Sequence, residues 1–297
     1  MKITDVKAHV LEPTDQLFLW SEGWEPQPVR SMFIRVLTDE GHEGQCITWL
    51  LSPEEYEAAL PGLKAATIGR DIHDIEAVSY DLTDRLQRPS ASASIIDICM
   101  WDALGKLHGE PIYKLLGAAR HRLPAYASSM AYTTEQGWID VALQCQSEGF
   151  QAFKIHPYGD AEKDIRLCRA LREAVGPSME LMIDSGNAYD RQDAHRVANV
   201  LEELHFYRFE APVSDTDVDG LAELTRTFPM DISAVEFVTT GFRSYGPYVA
   251  GHAVNSLRSI GDVIRIDQSG YIDAPTKPGL GYEADMNVIE DMTIRQL

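Results

Sequence analysis

From Leu123 onward, short apolar runs alternate with amphipathic helical patterns, and nothing else in the chain limits its fold as strongly. The runs are LPAYAS (123–128), AFKIH (152–156), ELMID (180–184), YRFE (207–210), DISAVE (231–236) and DVIRID (262–267). Between them lie segments such as AEKDIRLCRALREAVG and RQDAHRVANVLEELHF, with apolar residues at helical spacing. Continuously apolar strands separated by helices belong to a sheet covered on both faces. Such a sheet is parallel, and is either closed into a barrel or doubly wound.

The strand ends carry the chemistry. The second run ends in Lys154 and His156, the third in Asp184, the fourth in Glu210, the fifth in Glu236 and the sixth in Asp267. Asp184, Glu210 and Glu236 recur at intervals of 26 residues, one per strand–helix unit. In a βα barrel these ends share one face, where active sites form. A lone acid at a strand end is more often a helix cap or a surface residue. Three acids in register repel one another unless a cation sits among them. Oxygen donors on rigid strands suit Mg²⁺, with positions left for water or substrate. Lys154 and His156, two apart on one strand, share a face with each other. A divalent metal that holds a substrate carboxylate makes the adjacent carbon acidic by stabilising the enediolate. Histidine, which titrates near neutrality, is the natural base for that proton. Lys154 would neutralise the carboxylate or assist. The chemistry implied is proton abstraction α to a carboxylate.

Residues 1–50 read as strands: KITDVKAHVLE alternates, and SMFIRVLTDEGHEGQCITW folds about the turn Asp39-Glu40-Gly41. The stretch from Phe18 to Pro28, with Trp20 and Trp24, reads as a surface loop or a ligand lid. Residues 52–117 read as helical. Ser52 is the expected N-cap with Pro53 in the first turn, and SASIIDICMWDALGKLHG is a helix ended by Gly109-Glu110-Pro111, with Trp101 in the core. Strands followed by helices make an α+β unit.

Twenty-six basic against 46 acidic residues leave a net charge of −20, which argues against nucleic acid or an anionic membrane surface as partner. No apolar run approaches the ~20 residues of a membrane span, and MKITDVKAHVLEP has no signal-peptide core. The four cysteines form no CxxC pair, and Cys99, Cys145 and Cys168 read as buried thiols of a cytoplasmic protein. No G-x-G-x-x-G or P-loop follows a strand, which sets nucleotide binding aside.

Several stretches together resemble the enolase superfamily, in particular its mandelate racemase/muconate lactonizing enzyme-like group, which includes acid-sugar dehydratases. MKITDVKAHVLEP resembles the first strand of that group's capping domain. SASASIIDICMWDALGKLHGEPIYKLLGA resembles the segment A-x-S-x-I-D-x-A-L-W-D-x-x-G-K followed by P-x-x-x-L-L-G. FKIH resembles the K-x-K strand end, MIDSGNAY the stretch of the metal Asp, FEAPV the E-E-P and GYIDAPTKPGLGYE the closing P-x-x-P-G-L-G. The resemblance implies a capping domain over residues 1–120, completed by 270–297, and a TIM-type barrel domain over 121–269. It implies Asp184, Glu210 and Glu236 as Mg²⁺ ligands, Lys154 and His156 as the acid/base pair, and the loop from Phe18 to Pro28 as a substrate cap. Asp267 would be the sixth-strand Asp that orients a seventh-strand His.

The departures are specific. His156 replaces the second Lys of K-x-K, D-x-N becomes Asp184-Ser-Gly-Asn187, Ala211 replaces the second acid of E-E-P, and A-G-E becomes Ala234-Val235-Glu236. Only 30 residues follow Asp267, and they match the closing capping segment. The expected barrel is therefore incomplete, with about six βα units and without strands seven and eight. No seventh-strand His is found, and His252 reads as a helix-face residue. Two-base racemisation is then disfavoured, while His156 can serve both steps of a syn elimination. An open barrel exposes edges. A partner copy in a homo-oligomer covers them, or the C-terminal segment does, or the chain descends from a truncated gene. The expected function is Mg²⁺-dependent dehydration of a small sugar acid. The alternatives are an epimerase or cycloisomerase of the same group, or a non-catalytic remnant that keeps the fold and metal site.

Overall fold

The computed structural model describes residues 1–11, 17–18, 27–28, 31–48, 52–85, 91–234 and 266–297. The chain opens with β1 (Ile3–Leu11), the short antiparallel pair β2 (Leu17–Phe18) and β3 (Gln27–Pro28), then β4 (Ser31–Thr38) and β5 (Glu43–Thr48). The rest of the loop from Phe18 to Pro28 lies outside the described residues. Three helices follow: α1 (Pro53–Thr67), α2 (Ile75–Arg85) and α3 (Ala91–His108), with a single turn α4 (Ile112–Leu115). Ser52 caps α1 as its sequence predicts, and the structure adds a reciprocal box with Glu55. The alternating inner residues of β1 and β4, Val6, Ala8, Ile34 and Val36, pack on Leu63, Ile96, Cys99 and Met100 of the helices. Trp101 is half-buried against that core.

The second half begins with β6 (Arg122–Pro124) and β7 (Ala127–Ser128), then α5 (Glu135–Ser147), β8 (Ala152–Ile155), α6 (Ala161–Val175), β9 (Glu180–Asp184), α7 (Arg191–Glu203), β10 (Arg208–Glu210), α8 (Val218–Thr227) and β11 (Asp231–Ser233). Strands β7 to β11 form one parallel sheet in chain order. Phe153, Ile155, Leu181, Ile183 and Phe209 point from one face into a core with Trp138, Leu167, Leu171, Val197, Leu201 and Leu224 of the helices. The chain then forms β12 (Tyr271–Asp273), α9 (Met286–Met292) and β13 (Thr293–Gln296). β13 pairs with β1, so the first sheet has the order β13-β1-β4-β5.

Three expectations need correction or fall outside. LPAYAS is not one strand: β6 pairs antiparallel with β12, and only β7 joins the parallel sheet. Pro124 has no N–H for a continuing ladder, and the next amide, Ala125 N, donates to Gly270 O. Five parallel strands are described. The run from 262 lies mostly outside the described residues, and its last two residues, Ile266 and Asp267, are not in a strand. All four cysteines are free, with Cys145 only half-buried.

Candidate active site

The register of the parallel sheet sorts its second face into two rows. Ser128, Lys154, Met182, Arg208 and Asp231 lie side by side. One layer nearer the carboxyl ends lie Asp184, Glu210 and Ser233. Lys154 reaches up from the lower row. Its Nζ donates to Asp184 Oδ2 at 3.1 Å and Glu210 Oε2 at 2.9 Å, and sits 5.8 Å from the centre of the Tyr126 ring. His156 completes the group: Nε2 stands 3.2 Å from Asp184 Oδ2, and Nδ1 lies 2.7 Å from the carbonyl of Ser129. Asp184 Oδ1 accepts from Gly186 N at 3.2 Å. Lys154 and Asp184 are both 7% exposed, so these charges interact with little screening by solvent.

The proton states follow. Burial disfavours the Lys154 ammonium, but the charges of Asp184 and Glu210 outweigh it and push the lysine up to about 12. Burial also works to raise Asp184. The hydrogen bond from His156 and the charge of Lys154 overcome it and hold the carboxyl below its usual range. Lys154 is therefore a fixed cation at neutral pH. The Ser129 carbonyl takes Nδ1–H of His156, and Nε2 faces the Asp184 carboxylate.

Lys154, His156, Asp184 and Glu210 come together as their strand-end positions predict. Glu236 lies outside the described residues, three positions past Ser233, which is the residue opposite Glu210 in β11. Asp267 does not join them. Its Oδ1 accepts from Ser269 N, Ser269 Oγ and Tyr271 N, and its other oxygen pairs with Arg122. The turn it caps packs beside Gly149 and Gln151, before β8 and thus at the opposite end of the sheet. Ser129, Asp164 and Tyr189 belong to the site's framework and were not evident from sequence.

The donors fit a hard divalent cation. Asp184 and Glu210 stand in direct register on adjacent strands, and the Lys154 ammonium lies within reach of both. Three buried polar atoms around this end, Ser129 Oγ, Asn187 Oδ1 and Ser233 Oγ, have no hydrogen-bond partner among the described residues. No group of three His, Cys, Asp or Glu able to hold a metal is complete among the described residues.

A sheet-and-helix cap and a parallel βα sheet with charged strand ends define a capped α/β-barrel protein. The enolase C-terminal domain-like model matches residues 139–260, and the mandelate racemase/muconate lactonizing enzyme N-terminal domain model matches 26–117. The chain belongs to the mandelate racemase/muconate lactonizing enzyme group of the enolase superfamily. It is 31% identical over 250 residues to the D-galactarolactone cycloisomerase of Agrobacterium fabrum, covering 80% of this chain and 65% of that one. It is 28% identical to the L-talarate/galactarate dehydratase of Salmonella typhimurium, covering 63% of this chain and 49% of that one. The chain thus spans between about half and two thirds of these relatives' length. The fold matches D-glucarate dehydratase from Agrobacterium tumefaciens, solved in complex with magnesium, with a TM-score of 0.81 at 23% identity over 99% of this chain and 100% of that one.

Proposed function

We propose that this chain is a Mg²⁺-dependent enzyme that removes the proton α to a substrate carboxylate, with dehydration of a small sugar acid as its reaction. Asp184, Glu210 and Glu236 are assigned as the metal ligands. The observation that carries the reading is the convergence of Lys154, His156, Asp184 and Glu210 within contacts of 2.9–3.2 Å at the carboxyl ends of the sheet. Bound there, Mg²⁺ supplies the positive charge that holds a substrate carboxylate and acidifies the neighbouring carbon. The chain's own residues do the rest. Lys154, held as a cation, orients the substrate's carboxylate by charge. His156, fixed through Nδ1–H by Ser129, takes the proton at Nε2 when that nitrogen is deprotonated and turned from Asp184 to the substrate, and returns it to the leaving hydroxyl on the same face. A barrel of about six βα units, working as a homo-oligomer, goes with this reading. The cycloisomerase match favours a second reading, in which His156 returns the proton to carbon and the product is an isomer.

The test is the thermal midpoint with Mg²⁺ and with chelator. A ligand that binds only the folded state raises the midpoint by mass action. A rise is expected in the parent, reduced in Asp184→Asn, Glu210→Gln and Glu236→Gln. A midpoint indifferent to both additions removes the metal assignment. His156→Ala should abolish α-proton exchange with D₂O across a panel of sugar acids while the Mg²⁺ rise remains. Metal binding with no exchange from any acid leaves a non-catalytic protein that keeps its metal site.

A further inference from the structure

Asp164 has no solvent access, yet it lies in the first turn of α6 among exposed charged neighbours. Its carboxylate turns back over the helix start. Oδ1 accepts from Tyr158 N at 2.9 Å, and Oδ2 accepts from Gly159 N at 3.0 Å and from the Tyr189 hydroxyl at 2.7 Å. Tyr158 and Gly159 lie just after His156, in the loop leaving β8. Tyr189 lies in the loop leaving β9, five residues after Asp184. The β8–β9 ladder ends at the pair Ile155–Ile183, and beyond it this carboxylate bridges the two loops outside the direct contact of His156 with Asp184. The loops also touch, because a Cβ built on Gly159 would lie 3.1 Å from Ala188 Cβ.

The second loop is fastened in turn to the third. Asn187 N donates to Ala211 O at 2.7 Å, Ser185 Oγ to the same carbonyl at 2.8 Å, and Tyr189 N to Pro212 O at 3.3 Å. Ala211 follows Glu210 directly. A chain of hydrogen bonds therefore runs across the carboxyl ends, and the Asp164–Tyr189 bond is its link between the His156 loop and the Asp184 loop.

We infer that Asp164 and Tyr189 act as a positioning clamp that sets the His156 imidazole against Asp184 across the mouth of the site. The chemistry of the link fits the role. A carboxylate accepts from three donors on two oxygens, which a neutral amide with one acceptor atom cannot do. Burial pushes the Asp164 carboxyl up to about 6 against those three bonds, so it is ionised and a strong acceptor above that pH. Burial and the neighbouring charge push the Tyr189 phenol up, so it stays a donor. The clamp deepens the functional reading above and rests on it for the roles of the residues it positions.

The experiment uses the full chain with ¹⁵N-labelled histidine at about pH 7.5, above the Asp164 titration. The His156 ring signal is assigned by its loss in His156→Gln. Tyr189→Phe keeps the ring that packs on Phe209 and removes the bond to Asp164. It is expected to shift or broaden the His156 signal while those of His73 and His108 stay in place, and to weaken Mn²⁺ binding by roughly tenfold. Gly159→Ala, which presses on Ala188 at a positive φ of 79°, should do the same without removing any bond. Leu63→Ala, in the core of the other unit, should lower the melting midpoint and leave the His156 signal alone. The imidazole signal decides: if it is unchanged in both loop variants, whatever their stability, the clamp is overturned, and if one variant does not fold, the other decides. If the parent binds no Mn²⁺, the metal reading fails separately and the imidazole signal still tests the clamp.

Discussion

Asp164 and Lys154 are both buried and charged, but only Lys154 was legible in the sequence. Lys154, His156, Asp184 and Glu210 each close an apolar run, where a charged side chain has no apolar neighbours to satisfy and faces the strand-end layer. Asp164 stands within a helical pattern between Lys163 and Arg166, where spacing reads it as one more polar face residue. Its burial depends on a backward turn of the side chain over the helix start, which spacing does not encode. Asp267 fails for the opposite reason: it follows an apolar run, but its carboxylate is taken up by the turn at 267–271. The Asp164 environment has a pH signature. Its folded-state carboxyl lies near 6, above the ordinary value, because of burial. Between about pH 4 and pH 6 the folded form keeps a proton that the unfolded chain has lost. Stability from this group therefore falls as pH rises through that window, and is level above it. Relative to Asp164→Asn, the parent should lose up to about 1.4 kcal/mol per pH unit there, read from urea unfolding at several pH values. Parallel pH curves for the two proteins would mean that the group is not raised.

Elements with long, unbroken patterns were legible, and those whose identity depends on a partner were not. The capped helix α1, the amphipathic helices α6 and α7 and strands β8 to β10 stand where their periodicity predicts. LPAYAS was misread because two short strands with different partners carry the same apolar pattern as one. β12 was missed because its three residues gain strand character only from pairing with β6. The approach of α3 to β5 was also silent in the sequence. A Cβ built on Gly44 would lie 1.7 Å from the carbonyl oxygen of Cys99, so the helix backbone rests directly on the strand there. Neither backbone can yield without opening the core around Cys46 and Cys99. Gly44→Ala is expected to cost about 3 kcal/mol in urea unfolding, toward the upper end for overpacked sites. An unchanged unfolding midpoint would mean that helix and strand lie further apart than this.

At the scale of the molecule, the segment 266–297 ties the two halves together. It begins beside the amino end of β8, pairs β12 with β6, passes α3 at Gly279 and finishes as β13 on β1. That course was not legible in the sequence, because β13 is too short and too exposed to show a strand pattern alone. One buried carboxylate sits where the segment crosses the helix. Asp102 Oδ2 accepts from Gln45 N at 2.9 Å, Oδ1 accepts from Leu280 N at 2.7 Å, and Lys106 Nζ lies 2.8 Å away. Burial raises this carboxyl, and Lys106 and the two amides oppose that rise. Asp102→Ala would strand two backbone donors around an empty space, while Lys106 keeps the Glu43 carbonyl and Glu283 as partners. Removing one partner of a buried charged group costs about 3–5 kcal/mol. Because the carboxylate bridges β5 and residue 280, hydrogen exchange at the amides of Gln45 and Leu280 should quicken together. The amide of Ile155, deep in the parallel sheet, should change only through global unfolding. Faster exchange at Gln45 alone would mean that Asp102 does not hold the segment. The packing of Tyr282 and Ile289 on Leu11, Phe33 and Ile47 would then be what fixes its course.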